Sequence, residues 1–169
     1  MKYRIVNNFP VHGVEFVDYT PVFSDPVELK KYIDAIKDKI KALDYKPTCI
    51  LAPASRGYII ATPISLDLSI PLVPVMKTAK CAKPMLTAEY DTEYSHESMS
   101  IPEVSEDLLE HPILIDDIMA VGGTFWTTNK MIGKKITDGF FMMNLHLCNL
   151  STMFNIFAVD EGINENNNK

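Results

Sequence analysis

Two adjacent aspartates, Asp116 and Asp117, follow the apolar run Ile113-Leu114-Ile115, and the glycine-rich turn Ala120-Val121-Gly122-Gly123-Thr124 comes just after them. A single carboxylate at a strand end is ordinarily a helix cap or a surface charge. Two in succession repel one another, and a cation or a polyol relieves that repulsion. Carboxylates that accept hydrogen bonds from neighbouring hydroxyls suit a ribose. The turn beside them offers free amides, a helix dipole and the Thr124 hydroxyl, which together suit an anion. An acidic pair followed by an anion nest therefore describes a ribose-5-phosphate site. A magnesium ion fits as well, because Mg²⁺ prefers a few carboxylates plus phosphate oxygens. Alone, Gly-Gly-Thr would be an ordinary tight loop, and the spacing and lysine of a P-loop are absent.

Such a site needs elements that bring its parts to one rim. Ser24-Asp25-Pro26 is a helix start, with a capping side chain and proline at the first helical position. Leu29, Ile33, Ile36, Ile40 and Leu43 then recur at helical spacing before Pro47. Cys49 to Ala52 and Leu72 to Val75 are short apolar runs suited to strands buried on both faces. Between them Ser55-Arg56-Gly57 turns the chain into a second helix that contains Pro63. Ile113 to Ile115 predicts a third buried strand, Thr124 to Ile132 a third helix stopped by Gly133, and FFMMNLHLCNL a fourth strand. FNIFAV suits a last edge strand, and the end of the chain (160–169) a frayed tail. From 77 to 100 the pattern alternates as a solvent-facing hairpin or mobile flap would. The result is an α/β fold, a doubly wound and mainly parallel sheet flanked by helices. Ligands of such sheets sit beyond the carboxyl ends of the strands, near a switch point in strand order. Both suspicious loops fall there.

Composition limits the partners. At 169 residues the chain is expected to form one domain with a real core. The net charge of -6 argues against a nucleic-acid backbone binder. No apolar run is long enough for a membrane span, and the start MKYRIVNNFPVHG lacks the apolar core of a secretion signal. Cys49, Cys81 and Cys148 are odd in number and in neither zinc nor redox spacing. A cytoplasmic protein is expected. His12, His96, His111 and His146 have no ligand spacing, and Trp126 and Met142-Met143 read as packing residues.

ILIDDIMAVGGT closely resembles the signature of the type I phosphoribosyltransferases. FPVHGVEFVDYTPVFSDP (9–26) is similar to the amino-terminal hood of the adenine branch, whose pattern is F-P-x-x-G-[VI]-x-F-x-D-[IT]-[ST]-P with a later D-P. APASRGYIIATPISLDLSIPLVPV resembles the pyrophosphate-loop region of that branch, and EYDTEYS its catalytic flap. The similarity runs in register from about Phe9 to about Cys148.

The resemblance implies a magnesium-dependent homodimer that converts adenine and phosphoribosyl pyrophosphate into AMP and pyrophosphate, in purine salvage. It implies that Asp116 and Asp117 hold the ribose hydroxyls, that Ala120, Val121, Gly122, Gly123 and Thr124 cradle the 5′-phosphate, and that Ser55 and Arg56 bind pyrophosphate at a peptide often cis in the family. Lys80 would reach pyrophosphate, commonly across the dimer interface. Glu93 and Tyr94 would close over the reacting centre, with Glu93 a proton-transfer candidate. The backbone of Glu15, Phe16 and Val17 would form the purine hood opposite Ile118. Three residues depart from the pattern. Val121 stands for a common threonine, Met76 for an arginine near pyrophosphate, and Val17 for an arginine beside the base. They predict weaker phosphoribosyl pyrophosphate binding, or compensation by Lys77 or Lys83. Two alternatives stay open: another base (guanine, hypoxanthine or xanthine), or a non-catalytic sensor of phosphoribosyl pyrophosphate.

Overall fold

The computed structural model describes residues 3–9, 11–91, 96–148 and 150–162. The chain opens with a two-stranded antiparallel ribbon, β1 (Arg4–Asn7) and β2 (Glu15–Asp18), in which Val17 faces Ile5 and Asp18 faces Arg4. Asp18 closes the ribbon twice. It takes an ion pair from Arg4 at 2.5 Å and accepts both the Thr20 amide and hydroxyl, starting the short helix α1 (Thr20–Phe23). Those hydrogen bonds, more than Arg4, lower its carboxyl to about 2.

Helix α2 (Pro26–Lys41) starts as its sequence dictates: the Asp25 carboxylate accepts the Val27 and Glu28 amides, and Pro26 occupies the first turn. Its apolar stripe buries Tyr32, Ile33, Ile36 and Ile40. Then come β3 (Cys49–Pro53), α3 (Arg56–Leu68), β4 (Leu72–Lys77), a 3-10 turn (Thr78–Lys80), and the hairpin strands β5 (Pro84–Asp91) and β6 (His96–Pro102). The chain ends with β7 (Pro112–Met119), α4 (Gly123–Met131), β8 (Asp138–Asn144) and β9 (Asn155–Glu161).

Seven strands form one sheet in the order β5-β6-β4-β3-β7-β8-β9. From β4 to β9 all neighbours are parallel, while β6 and β5 extend the sheet antiparallel. Strand alternation splits the interior into two cores. Ile50, Ala52, Ile113, Ile115, Phe140 and Met142 face α2 and α3. Cys49, Leu51, Leu114 and Phe141 face the other way, toward Phe125 and Met131 of α4. The central strands are buried on both faces, which explains why they read as continuous apolar runs.

Three expectations change. The third strand does not stop at Ile115: β7 runs on to Met119, so Asp116 and Asp117 lie within it, paired alongside β8. The fourth strand is shorter than FFMMNLHLCNL, ending at Asn144, where the Asn144 amide oxygen accepts the His146 amide and turns the chain. The hairpin is no free-standing flap at its base. Ala88, Met99 and Ser100 are buried, and the Thr78 and Thr87 hydroxyls both lie 2.8 Å from the Ser100 hydroxyl. Glu93 and Tyr94 lie outside the described residues.

Candidate active site

Strand order switches direction at β3. From it the chain moves out to β4, then returns to place β7 on its other side. The loops leaving the carboxyl ends of β3 and β7 therefore diverge and leave a crevice, where ligands of parallel sheets bind. One loop is Ala54-Ser55, joined by a cis peptide, which feeds α3. The other is Ala120 to Gly122, which feeds α4.

Two cavities occupy the crevice. One, of about 410 Å³, is lined by Asp116, Ile118, Ala120 to Thr124, and also Tyr90 and Phe125. The second, of about 300 Å³, is lined by Pro53 to Arg56, Asp116, Asp117 and Thr124. They meet at Asp116 and Thr124. The acidic pair thus stands between an amide-rich turn and an arginine.

The phosphate-type turn follows from its glycines. Gly122 has φ of +77°, a left-handed backbone that side chains resist, and a Cβ there would sit 2.6 Å from Leu150 Cδ1. Gly123 is different, since a Cβ there would meet nothing within 4 Å. Packing does not demand that glycine, and the open space lies where α4 begins. The first amides of α4 have no side-chain cap, so they and the helix dipole are available to an anion.

The carboxylates are held under tension. The Asp117 amide donates to Asp116 Oδ1 at 2.9 Å. Burial, and then the neighbouring Asp117 charge, raises the Asp116 carboxyl well above the usual carboxylate range. Burial raises Asp117 too, against the opposing pull of Arg56. Arg56 Nε lies 2.6 Å from Asp117 Oδ2, out of line for a hydrogen bond, and the guanidinium sits 5.7 Å from the centre of the Phe16 ring. Gly57 allows this crowding: a Cβ there would be 3.0 Å from Asp116 Oδ1 and 3.1 Å from the Ile115 carbonyl.

The expected site residues divide into three groups. Ser55, Arg56, Asp116, Asp117, Ile118 and the 120–124 turn converge on the two cavities, and Phe16 joins them through Arg56. Glu15 and Val17, on the opposite pleat of β2, instead line a separate cavity of about 410 Å³ with Tyr3, Ile5, Met143, Leu145, Leu147 and Gly162. Lys77 is engaged by Glu97 at 2.9 Å, and Lys80 is exposed on the 3-10 turn. The missed participants are Tyr90 and the Arg56–Asp117 contact. The alternating pattern of 77–100 was the available signal for Tyr90, which lies on β5. The ion contact had none, since its partners are far apart in sequence.

A switched parallel sheet with an acidic pair beside an anion turn defines a phosphoribosyltransferase, and a model of the phosphoribosyl transferase domain matches residues 19–133. The adenine phosphoribosyltransferase of Francisella tularensis subsp. holarctica is 32% identical over 147 residues, covering 85% of this chain and 84% of that protein. Among solved structures, the adenine phosphoribosyltransferase of Thermoanaerobacter pseudethanolicus superposes with a TM-score of 0.81 at 27% identity, over 95% of this chain and 96% of that one. The enzyme of Saccharomyces cerevisiae, solved with an imino-altritol bisphosphate and adenine, superposes with a TM-score of 0.81 at 26% identity, over 94% of both chains. The chain belongs to the adenine phosphoribosyltransferase family.

Proposed function

We propose that this protein transfers the phosphoribosyl group of phosphoribosyl pyrophosphate to adenine, giving AMP and pyrophosphate in purine salvage. The observation that carries this reading is the pair Asp116-Asp117, set between the 120–124 turn and the Ser55-Arg56 turn in two adjoining cavities. The bond from C1′ to the pyrophosphate oxygen breaks with its electron pair leaving on pyrophosphate. The adenine N9 lone pair forms the new bond to C1′, and the N9 proton is lost, with Glu93 as its candidate acceptor.

In this reading the amides of the turn and the Thr124 hydroxyl hold the 5′-phosphate. Asp116 and Asp117 accept the ribose hydroxyls and oppose the positive charge that grows on the sugar ring. Arg56 exchanges its contact with Asp117 for pyrophosphate, and that release leaves Asp117 to the sugar. Phe16 and Ile118 enclose the base. Lys80, with Lys77, supplies further charge for pyrophosphate, and Tyr94 closes the site.

Magnesium fits the donor set. Among the described residues no cluster of three His, Cys, Asp or Glu side chains is placed to hold a metal unaided. Asp116 and Asp117 would therefore hold it together with substrate oxygens, as Mg²⁺ commonly binds. When bound, it neutralises charge on the departing pyrophosphate. A homodimer is supported by the outward stripe of α3, where Ser55, Ile59, Thr62 and Leu66 are exposed along one face that begins at the pyrophosphate-type turn. No helix of the described residues is long and apolar enough to cross a membrane, and a cytoplasmic setting suits the three free cysteines.

Val17 stands where the resemblance expects an arginine beside the base but lines the separate cavity with Glu15, so a second base stays in view. Incubation with magnesium, phosphoribosyl pyrophosphate and each purine in turn is expected to give AMP with adenine. Product with guanine alone would overturn the base assignment, and no product with any base would favour the sensor. Asp117→Asn is expected to lower kcat by about 10²–10³, the scale of a lost electrostatic stabiliser, with the circular dichroism spectrum unchanged. Wild-type turnover in that variant would refute the ribose role.

A further inference from the structure

The ribbon β1–β2 carries Phe16, yet it is a separate two-stranded sheet, and such a ribbon is marginal by itself. Something must fix it over the crevice. The family pattern around its exit is D-[IT]-[ST]-P, and this chain reads Asp18-Tyr19-Thr20-Pro21, with a phenol where the pattern has isoleucine or threonine. A buried phenol requires a hydrogen-bond partner.

Tyr19 is 1% exposed and Tyr32 of α2 is 2% exposed. Their rings meet edge to face at 5.9 Å, and Tyr3, just before β1, stacks on Tyr19 at 5.5 Å. The Tyr19 hydroxyl donates to Asp160 Oδ2 at 3.1 Å, and the Tyr32 hydroxyl donates to the same oxygen. Asp160 belongs to β9, opposite Met143 of β8. One carboxylate oxygen thus gathers the exit of the ribbon, the long helix and the edge of the main sheet. Burial raises both phenols, which keeps them as donors.

We propose that the Tyr19–Asp160–Tyr32 knot is the latch that holds the ribbon, and with it Phe16, over the base side of the crevice. Tyr19 and Asp160 are then positioning residues for the base, with no contact to the reacting atoms. Hydrogen bonds to a charged acceptor are among the stronger ones in proteins. The two hydrogen bonds tie the exit of the ribbon to α2 and β9 and include no residue of the 120–124 or Ser55-Arg56 turns, while Arg56 meets the ribbon through the Phe16 ring. Its loss should therefore separate base binding from phosphoribosyl pyrophosphate binding. The kinetic part of this inference rests on the transferase reading above.

Tyr19→Phe removes the hydroxyl and keeps the ring, so folding is retained. Two measurements on the whole protein test the latch. Hydrogen exchange is followed by mass spectrometry over residues 3–18 and, as a reference, over β7. Steady-state kinetics gives KM for adenine and for phosphoribosyl pyrophosphate. The expected result for Tyr19→Phe and Asp160→Ala is exchange about tenfold faster in 3–18, with β7 unchanged. KM for adenine should rise about tenfold, the equivalent of about 1.4 kcal/mol, while kcat and the other KM stay within about twofold. Asp160→Asn retains an acceptor oxygen and should fall between these variants and the wild type. Unchanged exchange in folded Tyr19→Phe would overturn the latch, and so would exchange that rises equally across the chain. Parallel changes in both KM values would reduce the knot to a general stabiliser and overturn the positioning role. Should the wild type form no nucleotide with any base, the transferase reading fails, and the exchange comparison alone decides whether the knot holds the ribbon.

Discussion

In the proposed transferase, Asp116 is the residue at which stability and function would oppose each other. Its folded carboxyl is raised, so the native state binds a proton more tightly than the unfolded chain. Between the unfolded value and the folded value the unfolded chain releases its proton while the native state keeps it, so each rise in pH favours unfolding. Stability contributed at this residue is therefore fullest below the ordinary carboxylate pKa and declines as pH rises toward the raised value. Asp116→Asn removes the buried charge in nearly the same volume. It is expected to raise Tm at neutral pH, each 1 kcal/mol gained appearing as about 2–4 °C in a chain of this size, while turnover falls. A calorimetric scan of both proteins at pH 5 and pH 8 checks this, with the larger difference expected at pH 8. An equal or lower Tm at pH 8 would mean that Asp116 is not a liability to the fold. This tension could be read from Asp-Asp in the sequence as mutual repulsion. The contribution of burial could not, because the strand was expected to end before the pair.

At the scale of elements, the turn between β7 and α4 is where one glycine matters most. Gly122→Ala places a methyl group against Leu150 Cδ1 at 2.6 Å and Cys148 Sγ at 3.1 Å, on a backbone with φ of +77°. The expected cost is about 1–3 kcal/mol in stability, with a raised KM for phosphoribosyl pyrophosphate; urea unfolding and kinetics measure the two. Gly123→Ala meets no protein atom, so it should leave stability nearly unchanged and still weaken substrate binding. Equal effects of the two substitutions on both measurements would refute the division between a fold glycine and a ligand glycine. Most elements were legible beforehand, because β3, β4 and α2 carry local signals: continuous apolar runs, and an Asp-Pro cap ahead of a helical stripe. The ends of β7 and β8 were not. β7 carries its acidic pair inside a strand, and β8 stops at a side-chain turn made by Asn144 amid residues that remain apolar. β1 was also missed, since its four exposed or half-exposed residues show no apolar run and gain their role only by pairing with β2.

At the scale of the whole molecule, two cores lie back to back across one sheet, and the crevice opens where the strand order switches. The outward stripe of α3 leaves Leu66 75% exposed and Ile59 42% exposed, more apolar surface than a solvent-facing helix ordinarily keeps. Leu66→Asp is expected to shift a dimer toward monomer in light scattering, and to lower activity because Lys80 of each subunit would serve the neighbouring site. A wild type that runs as a monomer at micromolar concentration would refute this. The expected pairing of chains rests on the resemblance, since an exposed leucine alone does not specify what covers it.

The carboxylate of Asp160 on β9 meets the Tyr19 hydroxyl across 141 positions of sequence. During synthesis, the aspartate pair, both anion turns and the hairpin all leave the ribosome before residue 160 does. A nascent chain can thus assemble its sugar-phosphate side while the amino-terminal ribbon still lacks its anchor. If the latch holds as proposed, the base side of the crevice would be the last part completed, only once β9 has emerged.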